Sequence, residues 1–408
     1  MTIKLCVLAF VLVSGIYNLI LAIVQKRSAN NPTPENVSDV FDAETYVKWK
    51  KYSAENSRLS IASTIVSTLV SLALLAANVH SAFASLFGEG LFPQLLSIII
   101  LETVVGTIVS TVFGYIRTMK IEEKYGFNRS SMKTFVFDVI RGLIIGFILS
   151  LALITLLAVI HRGMGDWLIL LFACAVFLIS LAISFLYPIF SRIGNKFVPL
   201  EEGDLKDRLM SLLTKHGYTV KAIEVMDASR RTTKLNAYFT GFGKMKTIVL
   251  YDNLINAMTP DEICAVFAHE LGHGLHKDVL KQQVMNFFNL LIMAVIAWVT
   301  VREGALHEAF GFDYVNYGFA YVLMSVGLGL TQPLTSMLMN AYSRFAEYRA
   351  DRQAVTEGYG EALIGGLKKL AKENFAHLAP SKINVVLEYS HPPLSERINA
   401  IEKELKKD

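Results

Sequence analysis

Residues 142–160 read GLIIGFILSLALITLLAVI, nineteen positions without a charged side chain, closed by His161 and Arg162. At about 1.5 Å per residue a helix of that length spans about 28 Å, close to the hydrocarbon thickness of a bilayer. Uncharged runs recur at 5–25, 59–88, 167–191, 282–301 and 314–343, and another, 90–116, is broken only by Glu102. Core helices of soluble proteins rarely continue for about 20 to 30 residues without a charge. The reading is therefore an all-α, multi-pass membrane protein with seven transmembrane helices. The run at 5–25 has no small-residue cleavage signature before Gln25-Lys26-Arg27, so it reads as a retained span rather than a signal peptide.

The whole chain agrees with this. Its 408 residues are 53% hydrophobic and 18% charged, and the mean hydropathy is +0.43. That excludes a disordered chain. The absence of any long basic run speaks against a nucleic-acid partner. Cys6, Cys174 and Cys264 are too few and too scattered for a disulfide framework or a cysteine metal site.

Seven spans cut the chain into eight aqueous segments on alternating sides. Of the 39 Lys and Arg residues, 36 fall in 26–58, 117–141, 192–281 and the tail from 344; only Lys4, Arg162 and Arg302 lie on the other side. Positive charge collects in the cytoplasm, so the amino terminus is expected outside and the carboxy terminus inside. The sequons at Asn36 and Asn128 then face the cytoplasm and stay unglycosylated. The expected organisation is 1–191 for spans one to five, 192–281 and 344–408 as two cytoplasmic pieces of one split domain, and 282–343 for spans six and seven.

The first cytoplasmic piece carries TPDEICAVFAHELGHGLHK at 259–277. Thr259 with Glu262 three residues on is a capping box, and Pro260 suits the first helical position. His269 and His273 are four apart on that helix, so both imidazoles reach one ion. Glu270 beside the first is placed to take a proton from a water that such an ion activates. A hydrolytic zinc takes three protein ligands and keeps one position open. In the second piece Glu347 and Asp351 share a helix face: Glu347 as third ligand, Asp351 as acceptor for the distal N–H of a ligand histidine. Spacing alone equally allows an exposed acid pair among Arg344, Arg349 and Arg352. His276 is a rival third ligand nearer the helix end, and Glu347 is preferred.

Three further segments bear on chemistry. Residues 236–240 and 247–251, with Gly241 and Gly243 between, suggest a small β-hairpin whose edge can hold an extended peptide; pattern alone favours a purely structural hairpin. His391 precedes Pro392 and Pro393 in a stiff segment, and with Arg397 it is a candidate for steadying an oxyanion, although a lone His and Arg are more often structural. Glu102 must face water or another helix. Polar residues of span two (Ser60, Ser63, Thr64, Ser67, Thr68, Ser71) and span seven (Ser325, Thr331, Gln332, Thr335, Ser336, Asn340) line either an aqueous space or helix contacts.

The segments 123–130 (EKYGFNRS), 236–241 (NAYFTG), 248–252 (IVLYD), 269–273 (HELGH), Ser343 and Arg344 with Glu347 and Asp351, and 390–393 (SHPP) with Glu396 and Arg397 resemble the integral-membrane zinc CAAX prenyl protease family. They are spread over nearly the whole chain in family order. The more distant bacterial membrane heat-shock zinc protease implies four spans rather than seven. The resemblance implies seven helices around a water-filled chamber, with one Zn2+ per chain at its cytoplasmic end. It implies His269, His273 and Glu347 as ligands and Glu270 as general base. It further implies a strand of Asn236, Ala237 and Tyr238 that holds substrate, with His391 and Arg397 assisting near the metal. Implied partners are a peptide or protein substrate with a prenylated carboxy terminus, which loses its last three residues, and membrane lipids. The setting is the plasma membrane of a prokaryote or the endoplasmic-reticulum membrane of a eukaryote. A quality-control protease acting on unprenylated membrane proteins is the alternative, and a non-catalytic chamber or scaffold the third reading.

Overall fold

The computed structural model describes residues 1–88, 90–192, 195–240 and 247–407. Long helices come first: α1 (Thr2–Ser28), α2 (Ala43–Ala76), the short α3 (Val79–Ala84), α4 (Leu91–Tyr115), α5 (Met132–Met164) and α6 (Leu168–Phe190). A mixed segment follows with β1 (Phe197–Pro199), α7 (Asp204–Lys215), β2 (Ala222–Met226), β3 (Ala237–Thr240), β4 (Thr247–Tyr251), α8 (Asp252–Ala257) and α9 (Pro260–Leu275). Then come α10 (Asp278–Arg302), α11 (Gly304–Glu308), α12 (Tyr317–Thr356), α13 (Gly360–Glu373), α14 (Lys382–Glu388) and α15 (Leu394–Leu405).

Among the described residues six helices are long and apolar enough to cross a membrane: α1, α2, α4 with its π-helical extension to Glu122, α5, α10 and α12. The seventh expected span, 167–191, falls on α6, whose apolar part among the described residues is the shorter Leu168–Ser184. Large apolar side chains stand exposed along these helices, including Phe10, Val13 and Ile16 on α1, Ile144, Ile148 and Leu149 on α5, and Val284, Phe288 and Val295 on α10. Such a surface suits lipid, and helices satisfy their own backbone in it.

Two expected boundaries move. The uncharged run 59–88 is not one helix. It begins inside α2 and breaks at Asn78, which takes the left-handed conformation at φ 54° before α3. Lys4 caps the break, donating from Nζ to the Ala76 carbonyl at 2.8 Å and to Asn78 Oδ1 at 2.7 Å. The run 314–343 starts as helix at Tyr317 and continues unbroken to Thr356, so the last long apolar helix carries Glu347 and Asp351 on its own extension.

The expected hairpin is present as the antiparallel pair β3–β4, with its turn at 241–246 outside the described residues. It belongs to a larger sheet of order β1-β2-β4-β3, in which β2 runs parallel to β4. Two cores result. Leu95, Ile154, Leu157, Phe172, Ala294, Ala320 and Met324 join α4, α5, α6, α10 and α12. Leu209, Ile248, Leu254, Phe267, Leu271, Val355 and Leu363 join the sheet, α7, α9, α13 and the far end of α12. α12 is common to both.

Between the long helices lie two cavities of about 470 Å3 each, which share Glu102, Gly106, Ser110 and Ser325. Ser63, Ser67, Thr68 and Ser71 of α2 line the second. Glu102 also meets His80 Nε2 at 2.7 Å, so the membrane-depth carboxylate has a partner.

α9 packs against α12 most closely at Gly272, where even a Cβ would be tight. A Cβ on Gly272 would stand 3.0 Å from both Ala350 Cα and Gln353 Cβ. Gly272→Val forces these helices apart, at an expected cost of about 1–3 kcal/mol. A lower unfolding temperature in detergent is the outcome to look for; an unchanged one would mean the helices part freely.

Candidate metal centre

α9 begins as the sequence expects. Thr259 Oγ1 accepts from the Glu262 N–H at 3.3 Å, and Glu262 Oε2 accepts from the Thr259 N–H at 2.8 Å. Pro260 follows the cap, where its missing N–H costs nothing. The apolar face of α9 is buried through Ile263, Phe267 and Leu271, which turns His269 and His273 toward α12. Glu347 meets them there: its Oε2 lies 3.5 Å from His269 Nε2, and its Oε1 3.3 Å from His273 Nε2. One donor atom from each of the three lies within 4.8 Å of the others, whereas His276 is outside this group.

Each imidazole is held from behind. Asp351 Oδ1 is 2.9 Å from His269 Nδ1, and Asp278 Oδ2 is 3.0 Å from His273 Nδ1. With Nδ1 facing a carboxylate, the Nε2 lone pair is free to point inward. Asp351 in turn accepts from Arg397 Nε at 2.9 Å and Nη2 at 2.6 Å, and Arg397 Nη1 lies 3.2 Å from Glu347 Oε2. Asp278 accepts from the Tyr342 hydroxyl at 2.9 Å and from Arg349. It reaches His273 because Lys277 turns the chain between α9 and α10 in the left-handed conformation, φ 56°. Non-glycine residues take that conformation where the surroundings impose it, often at functional sites.

The electrostatics follow. Burial opposes ionisation of Glu347, but the hydrogen bond from His273 and the charges of His269, Arg397 and His391 outweigh it and hold the carboxyl down at about 2. Burial likewise opposes Asp351, and Arg397 with His269 keeps it well below the usual carboxylate range. Burial disfavours a charged His273, yet Glu347 and Asp278 together raise it to about 9. Glu270 goes the other way: burial pushes it up, against the nearby histidines and Arg397.

These residues fit a divalent ion. Glu347 Oε2 is buried and accepts no hydrogen bond although basic groups surround it. Two inward Nε2 atoms and a carboxylate are the donor set for a hydrolytic metal with one position left open.

A cavity of about 500 Å3 opens onto the site. Asn236, Ala237, His269, Glu270, Glu347, His391 and Arg397 line it, together with an apolar wall of Leu254, Val266, Leu363, Leu367 and Leu370. His391 Nε2 is 3.2 Å from Glu347 Oε1, and its side chain is 64% exposed, so it stands at the mouth with room to turn. Arg397 is buried in the ion network. Tyr238 does not line this cavity; its ring stands edge-on to Tyr251. Sequence reasoning missed Asp278, Asn374 and His377. The last two line the cavity too, and burial lowers His377 to about 4. An acid five residues after His273 was the only available signal for Asp278.

With these groups as ligands, Glu347→Ala loses bound metal, measured by elemental analysis, whereas Glu270→Gln retains it and has no turnover. Asp278→Ala keeps the ligands but frees the His273 ring, and is expected to weaken metal affinity by about 10- to 100-fold in chelator competition. The metal must displace the His273 proton, so below about pH 9 affinity falls with falling pH, by about tenfold per unit, and uptake releases a proton. A pH-independent affinity would show that His273 does not ligate.

Comparison with known proteins agrees with this geometry. The model of peptidase family M48 matches residues 199–405, and that of the CAAX prenyl protease N-terminal region, five membrane helices, matches 23–192. The CAAX prenyl protease 1 homolog of Arabidopsis thaliana is 31% identical over 98% of this chain and 98% of its own length. CAAX prenyl protease 1 of Saccharomyces cerevisiae is 27% identical over 92% of this chain and 90% of its own. The crystal structure of S. mikatae Ste24p superposes with a TM-score of 0.92 at 25% identity, covering 98% of this chain and 99% of that one. A multi-pass helical frame, a His–His–Glu cluster and both matched regions lead to one assignment: the chain is a membrane metallopeptidase of family M48, in its CAAX prenyl protease branch.

Proposed function

We propose that this protein is a zinc endopeptidase that removes the last three residues from prenylated CAAX carboxy termini, with seven spans and its site facing the cytoplasm. One observation carries the proteolytic reading: the His269–His273–Glu347 cluster, with Glu270 beside it, opens into a cavity bordered by the outer edge of β3. The CAAX specificity rests on the relatives, which are named for that activity along almost their whole length. The cytoplasmic side rests on the distribution of Lys and Arg.

His269, His273 and Glu347 would hold the ion, and the chemistry it supplies when bound is polarisation of the scissile carbonyl and acidification of water. Glu270 takes the proton of the attacking water and returns it to the departing amine. Burial raises its pKa, which favours its holding the proton it has taken. Asp351 and Asp278 keep the two Nε2 atoms aimed inward. Arg397 acts through the carboxylates, since all its nitrogens face Asp351 and Glu347. His391, at the mouth beside Glu347, is the group placed to donate to the oxyanion. Ala237 offers the strand edge, with Asn236 beside it on the cavity wall.

The test uses purified protein in detergent and two peptides with one CAAX ending, one farnesylated on Cys. Loss of three residues from the lipidated peptide alone, absent in Glu270→Gln, is the expected result. Equal cleavage of both at scattered bonds would replace prenyl-dependent processing with quality control. An uncut pair with metal bound would leave only a binding chamber.

A further inference from the structure

β3 is the outermost strand of its sheet, and its pairing with β4 decides which backbone groups face outward. Ala237 stands opposite Leu250 and Tyr238 opposite Val249. The Asn236 carbonyl accepts from the Tyr251 N–H at 3.1 Å, so positions 236 and 238 direct their polar groups inward to β4. In an antiparallel ladder the alternate residues, Leu235 and Ala237, therefore direct theirs to the free edge. That edge borders the metal-site cavity at Ala237.

At Leu235 the edge is already taken. Its N–H donates to Asn374 Oδ1 at 2.9 Å, and Asn374 Nδ2 donates to its carbonyl at 3.1 Å. A carboxamide presents one donor and one acceptor side by side, which is what a neighbouring strand would present. Asn374 is also fixed. It ends α13, with its N–H on the Leu370 carbonyl at 3.0 Å. The next residue, Phe375, sits at φ 51°, with its ring edge-on to Phe41, Tyr52 and Phe127. A bulky residue stays in that conformation only when packing imposes it.

We infer that Asn374 is a register stop: it fills the pairing position at Leu235, so an extended substrate pairs with β3 at Ala237 and no further in that direction. Beyond Ala237 the substrate must end or turn away. The site thereby favours a chain that is short, or bent, on one side of the bond being cut. This rests on the proteolytic reading and adds a cause for cleavage near a chain end. A plain tether between α13 and the sheet would use the same two bonds but would leave substrate pairing unchanged on their removal.

An N-methyl scan separates the two. In the lipidated CAAX peptide one backbone amide at a time is methylated on both sides of the scissile bond, and kcat/KM is measured. Methylation removes the N–H wherever substrate pairs with the strand, for an expected loss of about tenfold. In Asn374→Ala the set of sensitive positions gains one, two residues from a position sensitive in the wild type. The same set in both proteins overturns the stop. No cleavage of the unmethylated peptide by wild type sinks the proteolytic reading and the stop with it, before any methylated peptide is compared. Should Asn374→Ala fold poorly or lose metal, Asn374→Ser takes its place: the shorter hydroxyl clears both the Leu235 N–H and its carbonyl, and the position must still be gained.

Discussion

Two carboxylates buried one helical turn apart set the terms for the rest of this protein. Glu347 and Asp351 are 6% and 1% exposed on the extension of a 40-residue helix. Like charges that close are tolerated only when cations and hydrogen-bond donors surround them. α9 supplies His269 and His273, α15 supplies Arg397, and the segment before α15 supplies His391. The helices of the polar domain thus close around α12 because its acids need them there. An ion with two positive charges completes the same balance.

The same constraint explains the second imidazole. His273 faces its own acid, Asp278, which is 3% exposed and shared with Arg349 and Tyr342 from α12. Both histidines are therefore oriented through α12, one by its own Asp351 and the other through an acid that α12 residues hold. Among the long apolar helices Glu102 meets the same need with His80, beside two cavities. Glu347, Asp351, Asp278 and Glu102 are each accompanied by a basic side chain.

The edge of the sheet answers to a different requirement, that every backbone group near a buried edge has a partner. β3 meets it on one side through β4 and at Leu235 through Asn374. Ala237, two residues on, directs its backbone groups to the same outer edge. Strand edge, apolar wall and metal cluster then bound one cavity, and the membrane helices hold it at the end of α12.

Local order was legible in the chain itself. Apolar runs marked the long helices because a bilayer-length stretch without charge has few other uses, and Thr259, Pro260 and Glu262 marked the start of α9 because a cap involves only neighbours in sequence. His269, Glu270 and His273, and the face shared by Glu347 and Asp351, followed from the 3.6-residue period. The break at Asn78 was hidden, since it depends on Lys4, 74 residues away. That Tyr238 meets Tyr251 and not the cavity depended on the pairing with β4, and the burial of Arg397 on an acid 46 residues earlier. Asp278 and Asn374 carried no mark of their role, because each acts on a group that only folding brings near. Sequence alone determined which residues could ligate, cap or span, since those properties are set by side-chain chemistry and helical period. Tertiary structure decided which atom of each residue faces the metal and where the strand edge is free, because those are fixed by contacts between elements far apart in the chain.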